Sequence, residues 1–404
     1  MLRVVVVGGG PAGFMAAIAA AGAGTQAAVS IYDAGTPLAT LRRTAGGTCN
    51  LTNAGSGPSE LSAQYPRGGK FLVPAFTRFG PVETMAWFRR RGLPLVVKDG
   101  GRVFPRSGRA TDVRAVLEGE ARRLGVRIRA RHAVTGISRG DASFTVTTSR
   151  GEMEADRIII ATGGGCAEGY EMARSLGHAV TPLASSLTDL VTEETWPLRL
   201  AGIAVPAARM VGMFAGRRVA EETGSLLFTS EGLSGPLAFH VSARSAFLPV
   251  SASRPLLLQL SVHPRTGSQD YEQALMAACS ERPRQLVATT LRAFLPRAVA
   301  DVVLELTGVD PSLSGCELTR EKRRALARCA DRIPLTVVER KNGEEAVTAG
   351  GVALDDVDQK TMESRVVAGL HFCGEVLDID GFTGGFNLQA AWSTGMLAGL
   401  AAGG

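Results

Sequence analysis

"RVVVVGGGPAGFMAAIAAA", residues 3–21, decides the fold. Four consecutive valines read as a strand buried on both faces, because a half-exposed strand would alternate with polar residues. Glycines and a proline break that strand, and small residues continue as a helix. Gly8, Gly10 and Gly13 form G-x-G-x-x-G where a dinucleotide fingerprint requires it, after a buried strand and at the mouth of a helix. Gly8 takes the tight turn, Gly10 the close approach of backbone to a pyrophosphate, and Gly13 the packing of helix on strand. Pro11 and Ala12 belong to the same turn, whose free N–H groups and helix dipole favour phosphate. The next strand, "AAVSIYD", ends in Asp33, 20 residues beyond Gly13, where an acid hydrogen-bonds a ribose hydroxyl.

Two more glycine turns extend the pattern. "DRIIIATGGG" (156–165) runs a buried strand into Thr162 and Gly163, and "GLHFCGEVLD" (369–378) runs another into Gly374 and Glu375. Both are placed at the carboxyl edge of the first sheet, with Glu375 toward the ribityl or pyrophosphate end of an FAD. "GFTGGFNLQAAWSTG" (381–395) opens a last helix at Gly384, Gly385, Phe386 and Asn387. Its N–H groups and dipole are suited to negative charge on the pyrimidine side of a reduced isoalloxazine. Val134, in "VRIRARHAVTGI", is counted with the cofactor-binding residues. No second fingerprint is present, so NAD(P)H, as electron donor, has to dock transiently.

The chain has 404 residues, of which 45% are hydrophobic and 20% charged, enough for two or three full cores. Its six cysteines are scattered without a C-x-x-C pair, which argues against a zinc site or a disulfide scaffold and for reduced thiols in a cytoplasm. No metal is expected. The opening apolar stretch lacks a cleavage pattern, and no uninterrupted apolar run of membrane-spanning length follows, so neither a signal peptide nor a membrane span is expected. A formal charge of +6 resides largely in arginine clusters at 89–91, 122–131 and 320–328. Solvated helix faces are the simplest account of these, and an anionic partner the alternative.

The texture changes near residue 190, where short alternating runs separated by Gly and Pro suggest a small antiparallel sheet or barrel. Residues 268–335 turn helical. The fold class is therefore α/β: a two-dinucleotide-binding, Rossmann-like FAD domain built from both chain ends (1–189 and 336–404). The insert at 190–335 is β-barrel-like over 190–267 and helical over 268–335.

The combination "GGGPAGFMAA", "GGTCNLTN", "GGRVFPRSGRATDV", "ATGGG", "GLSGP" and "CGEVLDIDGFTGGFNLQAAWSTG" resembles the BaiN/YhiN-type family of FAD-dependent flavoproteins over nearly the whole chain. The resemblance implies hydride delivery from reduced flavin N5 to an activated C=C bond, followed by protonation of the neighbouring carbon. The substrate it implies is a bile-acid-like enone or, for some relatives, a uridine in ribosomal RNA, which becomes dihydrouridine. Where that family writes G-N-G-R-C-N, this chain has Ala45-Gly46-Gly47-Thr48-Cys49-Asn50, so the arginine is absent. Where it writes T-H-x-G-[LI]-S-G-P, this chain has Ser230 in place of the histidine. Both departures mark a divergent subgroup.

"TAGGTCNLTNAG" (44–55) supplies the catalytic candidates. Gly47 and Thr48 are expected against the flavin. Cys49 is the candidate general acid, provided its pKa lies near ambient pH, with a small buried residue as the alternative. Asn50 is the second candidate, for catalysis or for capping the flavin edge. Arg102, Arg106 and Arg109, in a turn-rich stretch, are candidates for an anionic group of substrate, NADPH or RNA, with Thr111 or Asp112 capping the helix that follows. Ser234 is a weaker candidate on the insert. A small-molecule substrate leads, RNA is the alternative partner, and a flavin-loaded redox sensor is the non-enzymatic reading.

Overall fold

The computed structural model describes residues 1–24, 26–55, 57–341 and 347–404. The chain divides into two compact units, Met1–Ala184 with Val347–Gly404, and Ser185–Ala346.

The first unit is built on a five-stranded parallel sheet. Its order runs Leu370–Phe372, Arg157–Ile160, Leu2–Val7, Ala27–Tyr32, Arg127–Arg129. The valine strand is central, pairing Val4–Val7 with Arg157–Ile160 on one side and Leu2–Val7 with Ala27–Tyr32 on the other. Val4 to Val7 are all buried, as a strand covered on both faces demands. All five strands run the same way, but successive strands are added on one side of the valine strand and then on the other, so the crevice beyond its carboxyl end is where such a sheet binds ligand.

Helix Pro11–Ala21 packs on the sheet beside the closing helix Phe386–Gly403, which also touches strands Arg157–Ile160 and Leu370–Phe372. Gly395, Gly399 and Gly403 stand four apart and therefore share one face. A Cβ at Gly395 would lie 2.5 Å from the Ala12 carbonyl oxygen, one at Gly403 2.5 Å from that of Ala20, and one at Gly399 would overlap that of Ala16. Bare glycine faces thus let the two helices touch backbone to backbone. Gly→Ala in a helix normally gains about 1 kcal/mol. Here Gly399→Ala is expected to reverse that sign and destabilise by roughly 1–3 kcal/mol through overpacking. A denaturant midpoint equal to wild type, at unchanged slope, would show that the helices separate freely.

Two small antiparallel sheets flank this core. Thr52–Asn53, Arg102–Pro105 and Leu95–Val97 form one. Val134–Arg139, Phe144–Thr148 and Gly151–Ala155 form the other, whose last strand is not evident from the alternation in the sequence. Helix Ala110–Arg123 begins earlier than its sequence suggests: Arg109 holds the N-cap position without a side-chain cap bond. Thr111 and Asp112 therefore lie in the first turn rather than at the cap.

The second unit is a closed antiparallel barrel in the order Leu190–Thr192, Gly232–Ser234, Arg217–Phe228, Ala204–Phe214, Leu256–Ser261, Ile333–Arg340. The last strand pairs back onto the first, which removes free edges. Ile333–Arg340 is thus a barrel strand, so the second unit extends past the expected 335/336 boundary. Helices Ser268–Glu281, Arg297–Thr307 and Arg320–Asp331 pack their apolar residues, among them Leu275, Val303 and Leu326, into one core with the barrel's Leu256, Leu258 and Leu335.

Candidate cofactor and active site

The carboxyl edge of the parallel sheet gathers most of the expected residues. A Cβ on Gly8 would collide with the Ala161 carbonyl oxygen, and one on Gly13 with that of Gly8, so both glycines are closed in by backbone. Gly10 and Gly163 are the opposite: a Cβ at either meets nothing within 4 Å. Pro11 opens the fingerprint helix, where its missing N–H costs nothing. Ala12 sits under the neighbouring turn, since a Cβ at Gly374 would lie 2.7 Å from its methyl. The Gly374 N–H donates to Thr394 Oγ1 at 2.9 Å, fixing that turn to the closing helix.

Asp33 has a second task beyond the one expected. Its Oδ2 accepts from the Gly9 N–H at 2.8 Å and its Oδ1 from Gly35 N–H at 2.7 Å. A carboxylate has about four lone-pair sites, so it can hold the fingerprint loop and still accept from a ribose hydroxyl. Val134 starts the strand Val134–Arg139 and is buried.

Glu375 is partly buried, and its Oε1 accepts from the Thr348 N–H at 2.8 Å. Burial, and then the charge of Asp380, push its pKa up to about 7. It is therefore poised between carboxylate and carboxylic acid at neutral pH, and in the neutral form it can donate toward an anion directly. Thr348 belongs to "VTAGG" (347–351), which the sequence reading passed over. A strand running into paired glycines, as in "ATGGG", was the available signal.

The loop 44–55 lies against the closing helix. Ala39–Gly47 winds as 3₁₀ turns, and Gly47 and Thr48 lead into Cys49. The Asn53 amide donates to the carbonyls of Gly100 and Gly384 at 3.0 and 3.2 Å. Trp392 Nε1 donates to the Leu51 carbonyl at 2.9 Å, and Thr52 Oγ1 donates to Gln389. Gly385 caps the helix at φ 94, and a Cβ there would sit 2.6 Å from the Thr52 carbonyl oxygen. Only glycine meets both demands. The first-turn N–H groups of Phe386, Asn387 and Leu388 have no acceptor within the helix.

The structure shows the surroundings of the remaining candidates. Cys49 is fully buried at φ 57, and loss of water pushes its thiol up to about 12. A thiol raised that far is poorly matched to proton transfer at neutral pH. The Asn387 side chain is consumed by Gly381, accepting from its N–H at 2.7 Å and donating to its carbonyl at 2.8 Å. The Phe386 ring packs edge-on to Tyr65 at 6.3 Å, while Tyr65 Oη donates to the Phe386 carbonyl. Arg102, Arg106 and Arg109 are all exposed: Arg102 Nε donates to the Asp99 carbonyl and Arg109 pairs with Asp112 at 3.3 Å. Ser234 stands at the N-cap of Gly235–Arg244 in the second unit.

His371, on the outer strand of the parallel sheet, is buried, and neither ring nitrogen has a hydrogen-bond partner among the described residues. Burial lowers its pKa to about 4, so it is a neutral core residue at pH 7.

These residues fit FAD on two observations. Gly10 and Gly163 leave bare backbone along the sheet edge, the cradle a flat dinucleotide needs, between glycines that are packed solid. Asn50 Oδ1 and Thr162 Oγ1 are buried without hydrogen-bond partners among the described residues, on the loops that border it.

Comparison with known proteins agrees with this geometry. The family described as HI0933-like protein Rossmann domain matches residues 2–401. A protein of Clostridium scindens named 3-dehydro-bile acid delta(4,6)-reductase is 31% identical over 412 aligned positions, covering 100% of this chain and 99% of that protein. A Haemophilus influenzae protein named ribosomal RNA dihydrouridine synthase is 27% identical, covering 96% of each chain. Among solved structures, the open conformation of a flavocytochrome c3 fumarate reductase superposes with a TM-score of 0.51 at 16% identity, covering 100% of this chain and 78% of that one. That last likeness concerns the fold alone.

Proposed function

The chain belongs to the HI0933-like Rossmann family, and from that premise we propose that it reduces an activated C=C bond of a small molecule, drawing electrons from NAD(P)H. It is an FAD-dependent oxidoreductase. FAD, held tightly and without a covalent bond, supplies hydride chemistry when bound. The observation that carries the reading is the cradle at Gly10 and Gly163, open where its neighbours are closed.

The chain's own groups divide the work of holding it. The Gly8–Gly13 turn and the helix behind it receive the pyrophosphate, and Asp33 the ribose. Glu375 accepts from or donates to the ribityl and phosphate region according to its protonation. The first-turn N–H groups of the closing helix stabilise negative charge at the pyrimidine side. Asn50 orients the ring edge, and Cys49 shapes the loop.

Purified protein should be yellow and should consume NAD(P)H in step with loss of the absorbance of a conjugated steroid enone. A colourless preparation that takes up no FAD would overturn the assignment. Cys49→Ala should retain FAD and lose less than about tenfold in turnover, because a true general acid is worth about 10²–10⁴. A hundredfold loss with full FAD content would restore the thiol to catalysis.

A second reading keeps the chemistry and takes a uridine in ribosomal RNA as the alkene. The relative named for that activity, matching 96% of this chain, favours it. Reduced, isotopically labelled dihydrouridine in an unmodified RNA transcript, with the enone untouched, would select it.

A further inference from the structure

The arginines at 122–131 separate into two groups in the structure. Arg122 pairs with Glu118 at 3.5 Å and Arg123 with Glu120 at 2.8 Å, so these two are engaged within their own helix. Arg127, Arg129 and Arg131 are exposed, and none has an ion-pair partner among the described residues. Arg150 joins them from a turn of the neighbouring sheet: its guanidinium donates to the Arg131 carbonyl at 3.1 Å, and it too is exposed, with no ion-pair partner among the described residues.

Three of the four lie on or just after one edge of the parallel sheet, and Arg150 reaches that edge from a turn. Arg127–Arg129 is its outer strand, paired only to Ala27–Tyr32. Residues two apart on a strand stand roughly 6.6 Å apart on the same side. His132, between the two groups, makes its ring contact with Tyr32 and hydrogen-bonds Thr148 Oγ1 at 2.8 Å. Its pKa is lowered first by loss of water and then by the positive charges of Arg150 and Arg129, which both lie near the ring.

Charge on an outer strand also guards against pairing with another chain. Arg127 and Arg129 suffice for that, and Arg131 and Arg150 lie off the strand. Arginine presents a planar fork of donors that matches phosphate oxygens, and an unpaired row of such forks suits a repeated phosphate rather than one small anion.

We propose that Arg127, Arg129, Arg131 and Arg150 form a docking edge for the phosphate backbone of RNA. The proposal rests on the second reading above, and it assigns contact with the backbone, not the reacting base. Such a surface binds without regard to sequence and releases the counterions condensed on the RNA, so affinity falls steeply with salt.

The test uses the full-length, FAD-loaded protein and a labelled hairpin RNA, with binding measured by anisotropy between about 50 and 200 mM salt. The variant R127Q/R129Q/R131Q/R150Q should keep its FAD absorbance and melting temperature. Its plot of log affinity against log salt should be shallower by about three, as the loss of four phosphate contacts at about 0.7–0.9 each requires. Its affinity at about 50 mM salt should fall more than tenfold. Equal slopes for variant and wild type would overturn the edge while leaving RNA reduction standing. The same follows if R320Q/R328Q, on the second unit, takes the loss instead. A wild-type protein that binds no hairpin at low salt, or that prefers anionic lipid vesicles, would overturn the edge. If it still yields dihydrouridine, the chemistry of the second reading survives, and if it does not, both fall.

Discussion

Gly10→Val is expected to give a folded protein that carries no FAD. Two facts separate folding from loading at this position. Gly10 has φ −80, which any L-residue adopts, and a Cβ there meets nothing within 4 Å. The chain therefore tolerates a side chain without strain. The pyrophosphate does not, because a branched side chain would occupy the space in which backbone N–H groups meet phosphate. The variant should keep its circular dichroism and the cooperativity of its unfolding, and lose the visible flavin spectrum. Gly13→Val supplies the contrast: its side chain would drive into the Gly8 carbonyl, so that variant should fail to fold. A yellow Gly10→Val protein would move the pyrophosphate away from this turn.

Arg67→Ala is expected to cause the largest loss of stability. Asp380 is 0% exposed at its side chain, and the Arg67 guanidinium meets both of its oxygens. Removing the arginine leaves a buried carboxylate without its counter-charge, which costs roughly 3–5 kcal/mol in comparable sites. Arg67 keeps some exposure, so solvent reaches one side of the pair and the lower end of that range applies. Denaturant unfolding at pH 7 measures it. Replacing both partners with apolar residues of similar size should recover most of the loss, because the desolvation of both charges disappears together. The variant carries a second signature. The charge of Asp380 already raises the Glu375 pKa, so an uncompensated Asp380 should raise it further. An acid whose folded pKa exceeds its unfolded one destabilises the fold as pH rises from the unfolded value toward the folded one. For Glu375 that window runs from about 4.5 to about 7, and it should extend upward in the variant. An Arg67→Ala protein as stable as wild type would show that Asp380 is neutral or hydrated.

Much of the site was legible because its glycines follow buried strands. Gly8, Gly10, Gly13, Thr162, Gly163, Gly374 and Glu375 all fall at the carboxyl edge of one parallel sheet, where strand-to-turn transitions in the sequence place them. What was not legible is how a side chain chooses among partners far away in the chain. The Asn387 side chain closes onto Gly381, while the N–H groups of its turn keep the place expected for them. Cys49 sits among glycines that suggest access, yet the loop folds its thiol inward.

The sequence by itself determined the parallel sheet, the dinucleotide turn, the barrel-like insert and the family, because each rests on local periodicity, on glycine spacing or on motifs read in order. Only the tertiary structure decided which polar groups remain available. Hydrogen bonds and ion pairs such as Arg67–Asp380 and Thr52–Gln389 join residues more than 300 positions apart, and no local pattern encodes such a choice. The same holds for the closing helix: its glycines read as a small-residue stripe, and only the fold shows that they rest on the backbone of the first helix. Burial then set the chemistry, driving the Cys49 thiol out of the titrating range and bringing Glu375 into it.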